Sequence, residues 1–538
     1  MEQRNMILAF VLSMIVLVSW EMMFPAPEEN NTQTVTESAP VTARSGQAAP
    51  PPAESRSEQA APPPVQSHPK QVENITLAPE APANDVQEIA SLKNHLLDLK
   101  IDSRGTIVVA QTMQYREELN PDSKPVSVLG TDGEHALYVN SGVIAQASPH
   151  FRVVSQKQNQ GVSTLILRTS LTDGRSWTRT LTLQQDSYVL NVDDRIAHGT
   201  GLEMYRQVVE VNPSRETSRM YIYKGPIGLI NDKLKEASFD DLDEASPVRY
   251  SAKAGWIGMM NRYFIAAIIG DKERKYRYYF KGDGRTYQAG RLEDAQVNGS
   301  DADFHSRIYI GPKSTPVMKT LNAGLERSVD YGWFAVIAKP LHDLLLLFHG
   351  MISNFGLCII LLVVLIKILF YWPTKKSYES MAAMRKLQPE MKRLKGLYGD
   401  DRQRMGQEMM LLYKKHKVNP LGGCLPMVIQ IPVFFALYKT LLVSIEMRHA
   451  PFFGWIHDLS VMDPYYVLPV LMGASMLVQQ QLNPTPPDPI QAKIMKFLPV
   501  IFTFMFLFFP SGLVVYWLVN NILAITQQWY VMRKMKAI

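Results

Sequence analysis

"KKHKVNPLGGCLPMVIQIPVFFALYKTL", Lys414 to Leu441, passes within one short stretch from charge into grease. Lys414, Lys415 and Lys417 close a basic segment, and from Leu421 to Val443 the residues are mostly apolar. That run meets the roughly 20 residues a membrane-spanning helix needs. Pro426, Pro432 and Gln430 interrupt it. In lipid, a helix-breaking residue is tolerated where neighbouring helices or water satisfy the freed backbone groups. A polar side chain there turns to the bundle interior or to a wet cavity. The stretch therefore predicts one span of a multi-helix membrane bundle, with Gln430 mid-span.

Outward from it, the apolar residues of the 538-residue chain gather at the extreme N-terminus and after about Phe355. Spans are expected over residues 352–373, 419–445, 465–482, 495–510 and 511–532. The 495–510 span is short and needs its flanks to reach the interfaces. Pro510-Ser511-Gly512 makes the turn into the last helix. At the N-terminus, "NMILAFVLSMIVLVSWEMMF" ends without a small-residue cleavage pattern, so residues 1–24 read as an uncleaved anchor. The net charge of +6 is too mild by itself to suggest nucleic acid. The two cysteines, Cys358 and Cys424, sit in or beside apolar runs and provide no disulfide framework.

Between anchor and bundle the texture changes twice. Residues 25–85, with "AAPPP" repeated, are Pro, Ala, Ser and Glu with almost nothing to bury, and read as an extended linker. Residues 86–325 alternate apolar and polar side chains, as in "STLILRTSL" and "DFHSRIYIGP", with turn signals such as Thr172-Asp173-Gly174. That is the pattern of an antiparallel β-sandwich. It carries none of the nucleophile-elbow, zinc-helix or phosphate-loop motifs, so a binding or scaffolding module is expected rather than an enzyme, with no metal, cofactor or catalytic residue. Residues 326–351 repeat Ile337, Leu341, Leu344 and Phe348 at helical spacing, broken by Lys339, His342, Asp343 and His349; this reads as an amphipathic helix in the membrane interface.

Charge orients the chain. With the N-terminus inside, the 374–418 loop, with basic residues from Lys375 to Lys417, is cytoplasmic, as are 483–494 and the basic tail 533–538. The 446–464 loop has Arg448 against Glu446, Asp458 and Asp463 and falls outside with the β domain. Within 374–418, Met381, Met384, Leu387, Met391 and Leu394 make one helical stripe, and Met405, Met409 and Leu412 a second after Gly399-Asp400-Asp401. Two amphipathic helices would pair as an antiparallel hairpin. Few residues tie it to the spans, so a mobile element is expected. Its basic face suits anionic headgroups or ribosomal RNA.

Asn419-Pro420, Gly422-Gly423-Cys424, Pro426, Gln430, Pro432, Phe434 and Leu437-Tyr438 resemble the signature of the YidC/Oxa/Alb family of membrane-protein insertases. "WIHDLSVMDPYYVLPVLMG" (Trp455 to Gly473) and "FPSGLVVYWLVNN" (Phe509 to Asn521) match it too. The anchor, linker and β domain look like the Gram-negative layout of that family. The resemblance implies a polytopic α-helical membrane protein with a five-helix insertase core, the anchor helix and a large periplasmic β-super-sandwich. It would lie in the bacterial inner membrane with both termini cytoplasmic.

Lys367 stands inside "LCIILLVVLIKILFYWP", where a charge at mid-bilayer costs about 2.5 to 3.5 kcal/mol even on the lenient insertion scale. A lysine there could snorkel toward Lys375, seven residues and about 10 Å on at 1.5 Å per residue, or serve a groove. The resemblance favours the groove: the family usually has arginine here, in a hydrophilic groove open to cytoplasm and lipid and closed toward the periplasm. Lysine departs within the cationic class, and it loses its proton more readily when desolvated. Val363 stands where some members have threonine, and Trp517 where others have tyrosine. Gln430, Gln480, Thr503, Tyr516, Trp517 and Asn520 are the other expected groove residues, with Asn521, Gln527 and Gln528 on adjoining stripes of the last helix. The implied partners are nascent membrane proteins, the ribosome, the Sec translocon, membrane lipids and, more remotely, the signal-recognition-particle receptor. Two rival readings are a secondary transporter using Lys367 as a proton site and a membrane enzyme whose β domain is the catalytic unit. The chain shows no repeat of the transporter kind and no acid–base pair.

Overall fold

The computed structural model describes residues 87–215, 222–398, 401–419, 425–484 and 489–536. The expected anchor and linker, and Pro420, Gly422, Gly423 and Cys424 of the signature, lie outside the described residues.

Among the described residues from Glu88 to Pro312 the chain forms two antiparallel sheets, one of nine strands and one of ten. Strand Ser176–Gln184 shows why: Trp177, Arg179, Leu181 and Leu183 point inward while the residues between them face out. The Thr172-Asp173-Gly174 turn closes as expected, with Gly174 at φ +85° and Leu171 N–H donating to Arg175 O at 2.8 Å. Alternation also carries one acid into the interior. On Val189–Ile196, Asp194 follows Leu190 and Val192 on the buried face. Its carboxylate accepts Arg179 Nε at 2.7 Å, Trp177 Nε1 at 2.7 Å and Arg206 Nη2, from the other sheet, at 2.8 Å. Burial alone would raise this carboxyl; the two guanidiniums overcome it and hold it below its ordinary value. The sheets are thus joined by buried charge as well as by apolar packing.

Nine helices follow among the described residues beyond Ala335: α1 (Ala335–His349), α2 (Phe355–Leu369), α3 (Tyr371–Lys386), α4 (Gln388–Tyr398), α5 (Arg402–Lys415), α6 (Leu425–Val443), α7 (Val467–Leu482), α8 (Pro489–Phe506) and α9 (Ser511–Lys534). In the expected interfacial helix the inward face is turned from the predicted stripe. Ala338, Leu341, His342 and Leu345 are buried, while Val336, Lys339, Asp343 and Leu347 face out with Trp333 just before them. The contact with α6 fixes this rotation, through Thr440 Oγ1 donating to Ala338 O at 3.2 Å and Phe334 stacked on Phe435.

Among the described residues no single helix is long and apolar enough to cross a membrane. The one pair that is, α2 with α3, bends by 68°. Proline explains the bend: Pro373 has no N–H for the carbonyl of Leu369, and its ring crowds that oxygen. A second break, at Leu387, splits the first methionine stripe between α3 and α4, because Pro389 restricts the residues before it. α9 has length, 24 residues, but carries Asn520, Asn521, Gln527 and Gln528.

The hairpin is tied to the bundle more firmly than its sequence suggests. Met381, Met384, Leu387, Met391, Met409 and Leu412 form one buried cluster with Val531 and Met532 of α9. Arg385 Nη1 donates to Leu482 O, at the end of α7, at 3.2 Å. The expectation of few ties fails because the end of α9 supplies the apolar surface that the stripes need.

Candidate functional site: an inward lysine between two helices

The direction of Lys367 is set by its neighbours on α2. Ile359, Val363 and Lys367 recur at i, i+4 and i+8, one face of a helix. Val363 is 1% exposed, whereas Leu365 is 40% and Ile368 67% exposed on the opposite side. Lys367 is half-buried on the stripe that packs into the bundle. Among the described residues nothing forms a hydrogen bond or ion pair with it.

α9 is the facing wall. Gly512 brings its backbone close, since a Cβ there would stand 3.5 Å from Ile359 Cδ1 and 3.2 Å from Leu459 O. Lys367 is eight residues beyond Ile359, and Asn520 eight beyond Gly512. At 1.5 Å per residue both lie about 12 Å along their helices from that contact, which places them within about a helical turn of the same height. Asn520 is buried and, among the described residues, has no hydrogen-bond partner.

The end of the bundle nearer Gly512 is closed. The 446–464 loop folds over it through Asp463, which accepts Trp455 Nε1 at 2.9 Å and the backbone N–H of Leu468 at 2.7 Å, capping α7. Ser511 Oγ donates to Val461 O at 2.6 Å. Beneath the loop lies an aromatic layer. Trp517 stands 4.8 Å from Phe434 at an interplanar angle of 89° and 5.2 Å from Phe506, joining α6, α8 and α9. Gln430 Nε2 reaches Tyr516 Oη at 3.5 Å. The β domain rests on the same end, where Arg262 Nε donates to Leu442 O at the end of α6 and Arg448 Nη2 to Glu117 O, each at 3.0 Å.

The expected groove residues therefore divide. Lys367 and Asn520 lie within about a helical turn of one height; Gln430, Tyr516 and Trp517 belong to the aromatic layer above them. Gln480 and Thr503 turn elsewhere. Gln480 donates to Met495 O of α8, and Thr503 Oγ1 donates to Pro499 O of its own helix at 2.7 Å while facing Gly473. Gln480 thereby ties α7 to α8, while Thr503 bonds within α8, because a polar side chain in an apolar helix takes whatever carbonyl lies nearest. Asn521 and Gln528 likewise bond Ser475 Oγ at 3.0 Å and Asn483 Oδ1 at 2.9 Å, tying α9 to α7. Of the signature, Asn419 O accepts Ser380 Oγ at 2.9 Å, Pro426 falls in the first turn of α6, and Pro432 lies inside it. Sequence reasoning missed Asn354, which caps α2 by accepting Leu357 N–H at 3.0 Å and donates to Phe452 O in the loop; an Asn three residues before an apolar run was the signal.

A β-sandwich seated on a helical bundle, with a cation on an inward face, defines a class: a two-part protein whose helical part presents charge within an apolar wall. Sequence comparison supplies the family. The profile described as "60Kd inner membrane protein" matches residues 347–537, and "YidC periplasmic domain" matches residues 90–344. Membrane protein insertase YidC of Magnetococcus marinus is 39% identical over 557 aligned residues, covering 99% of each chain. The insertase YidC of Alkalilimnicola ehrlichii is 41% identical with 82% of each chain covered, and that of Coxiella burnetii 36% identical over 99% of this chain and 96% of its own. The chain belongs to the YidC family of membrane protein insertases, inner-membrane proteins with a periplasmic domain. The transporter reading of Lys367 loses its footing, since these relatives are insertases along nearly the whole chain.

Proposed function

We propose that the chain inserts nascent membrane proteins by drawing the polar segment next to an apolar span into the space between α2 and α9, where Lys367 attracts acidic groups. The observation that carries this reading is the inward Lys367, without a partner among the described residues, within about a helical turn of the height of the buried Asn520. A charge in a low-dielectric setting acts over a longer range than in water. The closed loop end and the aromatic layer make the space one-sided, so a segment enters from the hairpin side. The apolar span then leaves sideways into lipid, and burying some 20 apolar residues supplies the driving free energy without ATP. No covalent step is involved. On this reading α2 with α3, α6, α7, α8 and α9 form the membrane core, and α1 lies in the interface with Trp333, Val336 and Leu347 toward lipid. The hairpin and both termini are cytoplasmic, and the β domain is periplasmic. The basic hairpin faces the ribosome or anionic headgroups, and the Sec translocon is the expected membrane partner.

The test is reconstitution of the purified chain in liposomes. Insertion of a short two-sided coat-type substrate, without ATP and without solute flux, is the expected result. Coupled solute flux without insertion would overturn the reading.

A further inference from the structure

The 68° bend between α2 and α3 falls one turn beyond Lys367, so the direction of the lysine depends on how that bend is held. Pro373 removes a helical hydrogen bond there and leaves the joint weaker than a continuous helix. Across the gap stands Gln527 of α9, whose Nε2 donates to the carbonyl of Tyr371, the first residue of α3, at 3.2 Å. A carbonyl has two lone pairs, so a side-chain donor can be added to one already in a helix. Gln527 is seven residues, about two turns, beyond Asn520 and shares its face of α9. The bent pair is thus held to α9 twice: α2 packs on it above Lys367, at Ile359 and Gly512, and α3 bonds it just past the bend, at Tyr371 and Gln527. The lysine is slung between two points of one helix.

We propose that Gln527 is a positioning residue: by bracing the Tyr371 carbonyl it holds the bend at the angle that keeps the Lys367 ammonium between α2 and α9. Its neighbour Gln528 has a different task, bonding Asn483, so the two adjacent amides separate cleanly. The inference rests on the reading of Lys367 given above and names the residue through which α9 controls it.

The experiment is a double-mutant cycle in the full chain, reading insertion yield in liposomes for two matched substrates, one with an acidic external segment and one with that segment neutralised. Gln527→Met keeps length and removes the donor. It is expected to lower yield on the acidic substrate about three- to tenfold, the effect of one lost hydrogen bond, and to spare the neutral one. In the Lys367→Ala background it is expected to add nothing further, because a residue acting through Lys367 has nothing left to position. Gln528→Met is the control and should show no preference between substrates. Equal losses on both substrates, or losses that add to those of Lys367→Ala, would make Gln527 ordinary packing and overturn the inference while leaving the lysine's role intact. If Lys367→Ala itself shows no preference for the acidic substrate, the reading beneath falls and the inference with it.

Discussion

Gly473 of α7 and Thr503 of α8 meet so closely that a Cβ on the glycine would run into the threonine hydroxyl. The hydroxyl cannot swing away freely, being bonded to Pro499 O. Gly473→Ala is therefore predicted to force the helices apart and cost about 1–3 kcal/mol. Thermal unfolding in detergent should show the loss, and Thr503→Ala in the same chain should recover part of it. A second change that adds to the first instead would place the strain elsewhere.

Asp194 is predicted to be the most costly single residue of the β domain to remove. Asp194→Ala leaves Arg179 and Arg206 buried without a counter-charge, a loss of about 3–5 kcal/mol. Replacing all three by apolar residues of similar volume should be tolerated far better than the single change. The comparison is made on the β-sheet circular dichroism signal during denaturant unfolding. A triple variant worse than Asp194→Ala would contradict the argument.

Lys313, at the end of strand Asp301–Pro312, gives the β domain a pH dependence. Burial pulls it down to about 8, against the opposing pull of Asp330 and Glu236. Between that value and its ordinary 10.5 the unfolded chain binds the proton and the folded chain does not, so stability rises with pH across this window. Below about 8 both forms are protonated and the buried charge is a constant cost. Lys313→Met should raise the unfolding temperature at neutral pH and remove the rise. A wild-type curve as flat as the variant's would count against it.

Deleting residues 381–409 is predicted to abolish insertion while the remaining spans still enter the membrane. The deletion removes most of the methionine cluster and strips Val531 and Met532 of their cover. Insertion yield and protease protection of the membrane-inserted chain report the two outcomes separately; normal insertion by the variant would show the hairpin to be accessory.

Much of this was legible in the residues. Period-two alternation gives the sandwich, and the methionine stripes give the hairpin core. Asp194 stood on the apolar face of its strand, so the same alternation held the clue to the buried network. Proline marked both breaks, yet Pro373 reads equally as the end of a span; the methionine stripe announced a later helix, and only the 68° turn shows that it starts at once, at Tyr371. The directions of Gln480 and Thr503 could not be read, because α7 and α8 are apolar on several faces and the choice falls to the nearest carbonyl. Lys367 posed the same problem. A helix apolar all round has no inside until a partner packs on it, and Gly512 of α9, more than 140 residues on, makes one.

Lys367 itself supplies the most direct measurement. Insertion yields are compared for the wild type, Lys367→Ala, Lys367→Glu and Lys367→Arg on matched substrates with acidic and neutralised external segments. Arginine keeps its proton when partly desolvated, so Lys367→Arg is predicted to match or exceed wild type. Lys367→Ala and Lys367→Glu are predicted to fail on the acidic substrate and to matter much less on the neutral one. Equal yields for wild type and Lys367→Ala on the acidic substrate would contradict the account, because the lysine would then be only a tether to the interface.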